Sequence, residues 1–404
     1  MPFKAAISGL EAASTELNVI GNNIANAATA GFKRSRAEFQ DVFAVSSVGA
    51  AANATGRGVD TARVAQQFDQ GNIGFTDNAL DLAISGSGFF MLDNNGERIY
   101  SRDGSFGVDR EGFVVNASNH RLLAFGADAG GNINGALGAL QLSQANNPPA
   151  ATTQVSIGAN FDSAATSPAI ATFTPTDANS YNETTALNIF DSQGGSHLLQ
   201  MYFVRDTAVN TWQMHTYVNG SAVSGPDNLV FDEPGRLTTP ASGQITLPAF
   251  TPTAGVSPIN LTTTVSDTTM FGAPFGVSEL TQDGYTTGRL AGIDIDGQGV
   301  ILARFTNGQS AIQGQVALAN FPNPQGLRPL GGNGWSETFA AGVVMEGKPG
   351  TASLGLIQGG ALEDSNVDLS AELVALIIAQ RNFQANTQVI STADQVTQSV
   401  INIR

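Results

Sequence analysis

The sequence has 404 residues, contains no cysteine and carries a formal net charge of −16. The lack of cysteine excludes disulfides, thiolate catalysis and all-cysteine metal sites, and the acidic balance argues against nucleic acid as a partner. Charged residues make up 13 % of the chain, against a usual share of about 25 %. Such a composition is typical of a subunit covered by copies of itself, and equally of a secreted or acidic soluble protein.

The first predicted element is an N-terminal helix over 5–28, within a helical segment 1–30. Its apolar residues recur at intervals of three and four, which is the heptad spacing of helices that supercoil around a partner. An ordinary amphipathic helix on a globular core has the same spacing and stays an alternative. The stripe predicts an N-terminal assembly seam of Ile7, Leu10, Leu17, Ile20 and Ile24.

Glycines weaken and end this predicted helix. Gly9 and Gly21 each cost about 1 kcal/mol relative to alanine in a helix interior, so we expect the helix to order only in an assembly. Gly31 can adopt the left-handed conformation that ends a helix. Lys33 follows it, where a positive charge suits the carboxyl end of the helix dipole.

The interior has strand patterns in place of helical ones. We predict a linker or hinge over 31–70, which includes the Gly- and Ala-rich stretch 46–59. A core β domain follows over 71–145 and resumes over 285–364, and the two parts are separated by an inserted all-β domain over 146–284.

The first part of the core domain is predicted to be an antiparallel meander. Its short apolar runs are separated by the turn pairs Asn95-Gly96, Asp103-Gly104 and Glu111-Gly112. A strand pair flanking the turn at 206–210 is predicted in the inserted domain.

A second helix is predicted over 365–404, opened by Ser365 and Asp368 as a capping box. A helix of this length needs burial along one face. Asn386 lies near that face, where a polar residue can fix the register. The repeat predicts a C-terminal assembly seam of Leu369, Leu373, Leu376, Phe383 and Ile390.

These patterns predict a mixed fold. The terminal α-helices form a coiled-coil-like inner layer, and two mainly antiparallel β domains are nested, with the inserted domain interrupting the split core domain. The nesting follows if the paired seams bring the two ends of the chain together.

We expect no catalytic site, no metal site and no cofactor. Asp294 and Asp296 open an acidic Gly-rich loop, but an EF-hand needs glutamate at its twelfth position, where this sequence has Phe305. A β-turn is the expected structure there. A pair of glycosidase carboxylates stays an alternative, although no pattern selects two.

The N-terminus predicts neither a cleaved signal peptide nor membrane insertion. No apolar run of the required length follows Lys4, and no window of 18 apolar residues occurs along the chain.

Three groups of residues resemble the bacterial flagellar rod and hook proteins. One group resembles the core β domain of that family and spans 79–90 and 100–106, and another resembles its C-terminal helix and spans 379–386. The third resembles the family's N-terminal signature and includes Asn22, Asn23, Asn26, Gly31 and Phe32.

The resemblance implies an axial structural protein that polymerises with copies of itself into a hollow tube. The large insertion favours a subunit of the flagellar hook, the flexible universal joint that transmits torque from rod to filament, over a distal rod subunit. Rod, hook cap and hook-filament junction proteins are then the implied partners. The family also implies passage through the flagellar type III export apparatus, without a cleaved signal peptide, to an extracellular position. A secreted β-rich adhesin stays an alternative.

Overall fold

A computed structural model describes residues 2–42, 56–128, 130–143 and 145–402. Within these ranges the chain has one α-helix near each end, α1 (Pro2–Ala25) and α2 (Leu369–Asn402), and is otherwise mostly β. It divides into two compact units. Unit 1 comprises Met1–Gln144, Gly292–Arg304 and Ser310–Arg404, and unit 2 comprises Ala145–Ala291 and Phe305–Gln309.

The strands follow one another closely along the chain. Before unit 2 they are β1 (Ser35–Asp41), β2 (Val59–Gln66), β3 (Ile73–Phe75), β4 (Leu82–Ser85), β5 (Phe89–Asn94), β6 (Glu97–Ser101), β7 (Phe106–Val108), β8 (Val114–Asn116), β9 (Arg121–Ala127) and β10 (Ile133–Ala139). Unit 2 contains β11 (Gln154–Asp162), β12 (Glu183–Phe190), β13 (Ser196–Arg205), β14 (Thr211–Val218), β15 (Ser221–Phe231), β16 (Leu237–Thr239), β17 (Gln244–Thr246), β18 (Thr262–Thr264), β19 (Thr269–Phe271) and β20 (Gly276–Gln282). The remaining strands are β21 (Leu290–Ile295), β22 (Val300–Phe305), β23 (Ser310–Val316), β24 (Leu318–Asn320), β25 (Arg328–Gly331), β26 (Gly334–Ser336), β27 (Met345–Gly347), β28 (Leu356–Gly359) and β29 (Ala361–Glu363).

The main sheet of unit 1 has the central order β23-β9-β5-β6-β26. The predicted turn at Asn95-Gly96 is confirmed, since both residues have positive φ and join β5 to β6 as an antiparallel hairpin. The predicted meander is wrong at Asp103-Gly104. There β6 pairs with the distant β26, whereas β7 pairs with β8.

Unit 2 has a core of apolar side chains from two five-stranded sheets, centred on Phe161 and Trp212. The strand pair predicted around 206–210 is confirmed as β13 and β14, which pair antiparallel. The predicted pattern of antiparallel pairing has an exception, because β11 lies parallel to β18 and β19.

The predicted linker over 31–70 is corrected by the structure. Its described part forms an antiparallel hairpin of β1 and β2, and residues 46–55 of the proposed flexible stretch lie outside the described residues. The hairpin escapes sequence detection because β1 has only one large apolar residue, Phe39, and it is supported by packing against α1. Neither α1 nor α2 is long and apolar enough, over its described residues, to cross a membrane.

Candidate assembly surface

The two terminal helices lie side by side and antiparallel within unit 1. Near one end, the Asn23 amide donates to the Glu372 carboxylate at 3.3 Å. Towards the other end, Gly9 faces Asn386 so closely that an added Cβ would lie 2.7 Å from the Asn386 Oδ1. The two contacts are separated by fourteen residues along each helix. The pair therefore holds one register over two heptads.

The predicted N-terminal seam is only partly buried in this pair. Ile20 is buried and Ile7 is exposed, while Leu10, Leu17 and Ile24 are half-buried. Much of the buried line along α1 is made instead by small side chains, Ala6, Ala12 and Ala13. Small residues let helix backbones approach closely, which is why the contact does not depend on the large apolar residues that the repeat emphasises.

The predicted C-terminal seam divides between two sides of α2. Leu376, Phe383 and Ile390 are half-buried and recur every seven residues on the side that faces α1. Leu369 is 48 % exposed and Leu373 is 51 % exposed. Leu369 lies beyond the end of α1, and Leu373 points away from it.

A contiguous apolar strip on α2 remains accessible to solvent. We call this strip the α2 outer face, and its residues are each about half exposed: Leu373, Val374, Ile377 and Ile378. Further along the helix, Phe3 of α1 lines an apolar groove with Val389 and Val396. Single exposed apolar side chains are ordinary, but a contiguous patch marks a surface that another molecule covers.

The charge on α2 supports the same interpretation. Over Leu369–Asn402 the helix has only Glu372, Arg381 and Asp394 as charged residues, and Glu372 is buried. A helix that remained in solvent would normally carry many more charges on its outer side.

The N-terminal signature residues lie where α1 meets the strands of unit 1, which we call the β body. Asn23 is buried, and its amide group exchanges hydrogen bonds with the backbone of Ser35 at 2.8 and 2.9 Å. Asn26 donates to the Asn22 carbonyl at 2.9 Å and accepts from Thr29. These bonds close the chain into a turn directly after the helix.

The helix ends earlier than predicted, and Gly31 has another role. α1 stops at Ala25, whereas Gly31 has a φ of +68° and donates to the Glu363 carbonyl at 2.7 Å. A Cβ at Gly31 would lie 2.4 Å from the Asp103 nitrogen, so only glycine fits. Phe32 beside it is half-buried. The predicted capping box is likewise corrected, because Asp368 rather than Ser365 accepts from the first free amides of α2.

A buried ion cluster lies next to this turn. The Lys33 ammonium contacts the Glu363 carboxylate at 2.6 Å, and the Arg102 guanidinium contacts its other oxygen at 3.0 Å. Burial lowers the pKa of Lys33 and of Arg102 below their ordinary values, and Glu363 opposes that effect in both. The sequence predicted that Lys33 would interact with the helix dipole. The structure shows instead that Lys33 forms an ion pair with Glu363.

Sequence reasoning missed Glu363 as a site residue. Arg102 belongs to the motif at 100–106. Glu363, by contrast, is followed by Asp364, and two adjacent acidic residues are usually exposed. The signal is non-local, because the charges that meet here are separated by up to 330 positions in the chain.

The acidic loop is a turn, as expected. Asp296 lies between β21 and β22 and accepts hydrogen bonds from the amides of Gln298 and Val300. In the part of the chain that the structure describes, no group of three or more potential ligands could hold a metal ion.

Four protein-family models match the chain in order. They are described as flagella basal body rod protein, residues 3–33; flagellar hook protein FlgE/F/G D1 domain, residues 83–160; flagellar basal body protein FlaE D2 domain, residues 160–285; and flagellar basal body rod FlgEFG protein C-terminal, residues 358–403. The first of these matches includes nearly all of α1, and the last includes the whole of α2.

Relatives match over the whole length of the chain. The chain is 38 % identical to the flagellar hook protein FlgE of Escherichia coli strain K12 and to that of Salmonella typhimurium strain LT2, over all of each chain. It is 33 % identical to the flagellar hook protein FlgE of Rhizobium meliloti strain 1021, over all of this chain and 98 % of the relative. The crystal structure of Helicobacter pylori flagellar hook protein FlgE2 shares its fold with a TM-score of 0.53 and 16 % identity, over 72 % of this chain and all of that one.

Proposed function

We infer the detailed role of this chain from its place in a known family, because the chain belongs to the flagellar hook proteins. It is a structural subunit of the bacterial flagellar hook. Its full-length relatives are named hook proteins, so a distal rod subunit and a secreted adhesin are not favoured. We propose that it has no catalytic role.

The assembled form that we propose is a hollow, flexible tube of many copies that transmits torque from rod to filament. The observation that carries this proposal is the α2 outer face, an apolar strip left uncovered within the chain. Helices of neighbouring copies are the proposed cover, since they offer complementary apolar stripes. In this arrangement α1 and α2 together form the inner layer of the tube.

Partners and location are proposed on the strength of the family. Rod, hook cap and hook-filament junction proteins would contact the two ends of the polymer. The chain would pass through the flagellar type III export apparatus, without a cleaved signal peptide, and act outside the cell.

The test is a pair of aspartate substitutions on the α2 outer face, Leu373→Asp and Ile377→Asp. Both side chains are half-exposed in the single chain, so folding should be retained. In a polymer each aspartate would become an unpaired buried carboxylate, which costs several kcal/mol per subunit. We expect no polymers of uniform diameter by electron microscopy of the purified variants.

Asn382→Asp is the matched control, because Asn382 is an exposed polar residue of the same helix that shares no heptad position with the α2 outer face. It adds the same charge in nearly the same shape and should leave assembly intact. Polymers of normal appearance from Ile377→Asp would refute the α2 outer face as an assembly surface.

A further inference from the structure

One short C-terminal segment, residues 361–372, holds the N-terminal end of the β body in place. The Asn366 side chain accepts from the Arg34 amide at 2.7 Å and donates to the carbonyls of Gln67 and Asp69. The Glu363 carbonyl accepts from Gly31. We call this meeting point of residues 23–35, 67–72 and 361–372 the terminal junction.

Glu363 lies at the centre of the terminal junction. Besides Lys33 and Arg102, its carboxylate accepts from the Gly71 amide at 2.8 Å. The Lys33 ammonium also donates to the Asp69 carbonyl at 2.8 Å. A single side chain thus connects the segment after α1, the loop before β3, and the core strand region.

The two cations at this site have no other acidic side chain within ion-pair distance among the described residues. Lys33 and Glu363 are 1 % exposed and Arg102 is 5 % exposed. Removing one partner of a buried ion pair leaves a charge that is neither solvated nor compensated, which is strongly unfavourable. Here one carboxylate serves two cations, so its loss would leave both uncompensated.

The backbones of the loop 67–72 and of the C-terminal segment lie very close together at Gly71. A Cβ at Gly71 would lie 2.0 Å from the Asp364 carbonyl oxygen. The contact between these two segments therefore requires glycine at this position.

We propose that Glu363 is a positioning residue that makes the order of the N-terminal segment 31–35 and of the loop 67–72 conditional on docking of the C-terminal segment 361–372. The terminal junction is then a charge-dependent clasp, and the base of the helix pair is fixed rigidly to the β body. This inference does not rest on the proposed function, since it concerns the single chain.

Hydrogen exchange of full-length Glu363→Gln tests the clasp, because glutamine keeps the shape and removes the charge. We expect the amides of Gly31, Arg34 and Gly71 to exchange at least about tenfold faster than in the parent chain. Amides of the core strands β5 and β9 should keep their protection. Exchange at the junction that is unchanged relative to the parent chain would overturn the proposal.

Two further variants separate charge from simple damage. Glu111→Gln removes an exposed carboxylate that pairs with Arg121 at 3.0 Å, and it should leave junction exchange unchanged. Adding Lys33→Met and Arg102→Met to Glu363→Gln removes both uncompensated cations and should restore much of the protection. If Glu363→Gln does not fold, the triple variant decides: recovery of the folded β body supports the clasp, and failure to recover overturns it.

Discussion

Gly9 is predicted to be required by the helix pair, although glycine is a poor helix residue. The Gly9→Ala change should remove the intrinsic penalty of glycine, which is about 1 kcal/mol in a helix interior. The new methyl group, however, would lie 2.7 Å from Asn386 Oδ1 and 2.9 Å from its Cγ. These distances are too short for non-bonded atoms, so Asn386 or the whole of α2 must move.

The expected size of this effect follows from two opposing contributions. Overpacking of a close contact costs about 1–3 kcal/mol, and moving the Asn386 amide also disturbs its 2.9 Å hydrogen bond to the Asn382 carbonyl, which contributes about 1 kcal/mol. Against these costs stands a gain of about 1 kcal/mol in helix propensity. The free energy of unfolding the helix pair should therefore fall by about 1–3 kcal/mol.

Gly21→Ala is the matched control. Nothing lies within 4 Å of a Cβ at Gly21, so the same chemical change should stabilise α1 by about 1 kcal/mol. Thermal unfolding followed by circular dichroism at 222 nm, which reports the helices, should therefore separate the two variants in opposite directions. Combining Gly9→Ala with Asn386→Ala should restore stability, because the second change makes room for the first. Equal stabilisation by Gly9→Ala and Gly21→Ala would refute the close contact.

Two other substitutions test separate parts of the chain. Phe383→Asp should place an unpaired carboxylate against α1 at a cost of several kcal/mol, so the helix signal should fall while the β body stays folded; an unchanged helix signal would contradict the pairing. In unit 2, burial lowers the pKa of His215 below its ordinary value of 6.5. The His215 side chain therefore takes up a proton at a higher pH in the unfolded chain than in the folded chain. The free energy of unfolding should fall as the pH drops below 6.5. His215→Phe, which can keep the stacking on Phe173, should flatten that dependence in calorimetric melts, and an unchanged slope would refute it.

Local turn chemistry is what makes parts of the β fold predictable from sequence. Asn95-Gly96 needs two residues with positive φ, and few other residue pairs adopt this conformation. Asp103-Gly104 looks similar in sequence but does not join a hairpin. β6 pairs with β5 on one side and with β26, which is distant in the chain, on the other. A pairing of that kind leaves no periodic or compositional signal near either strand.

The sequence predicted that the two helices exist, but it did not predict which side of each helix packs within the same chain. A heptad repeat reports that a stripe is apolar and does not report whether the same chain or another copy covers it. The placement of Phe383 against α1 and of Leu373 on the outer side therefore required the structure. The buried cluster at Glu363 was unpredictable for a related reason, because charged residues are read as exposed until the distant opposite charge is known.

The distribution of contacts along the helix pair has a mechanical consequence. At its base, the pair is tied to the β body by the buried ionic contact of Glu363 and by partly buried hydrogen bonds of Asn23 and Asn366, which have preferred directions and distances. Towards its far end, the contact with α1 includes the half-buried apolar residues Phe383 and Ile390 and the close approach of Asn386 to Gly9. Apolar contacts tolerate small displacements better than directional bonds do. If the tube that we propose bends as it turns, contacts between copies must change repeatedly. In a subunit built this way, those changes would be absorbed along the apolar faces of the helices, while the base of the pair transmits force to the body without loosening.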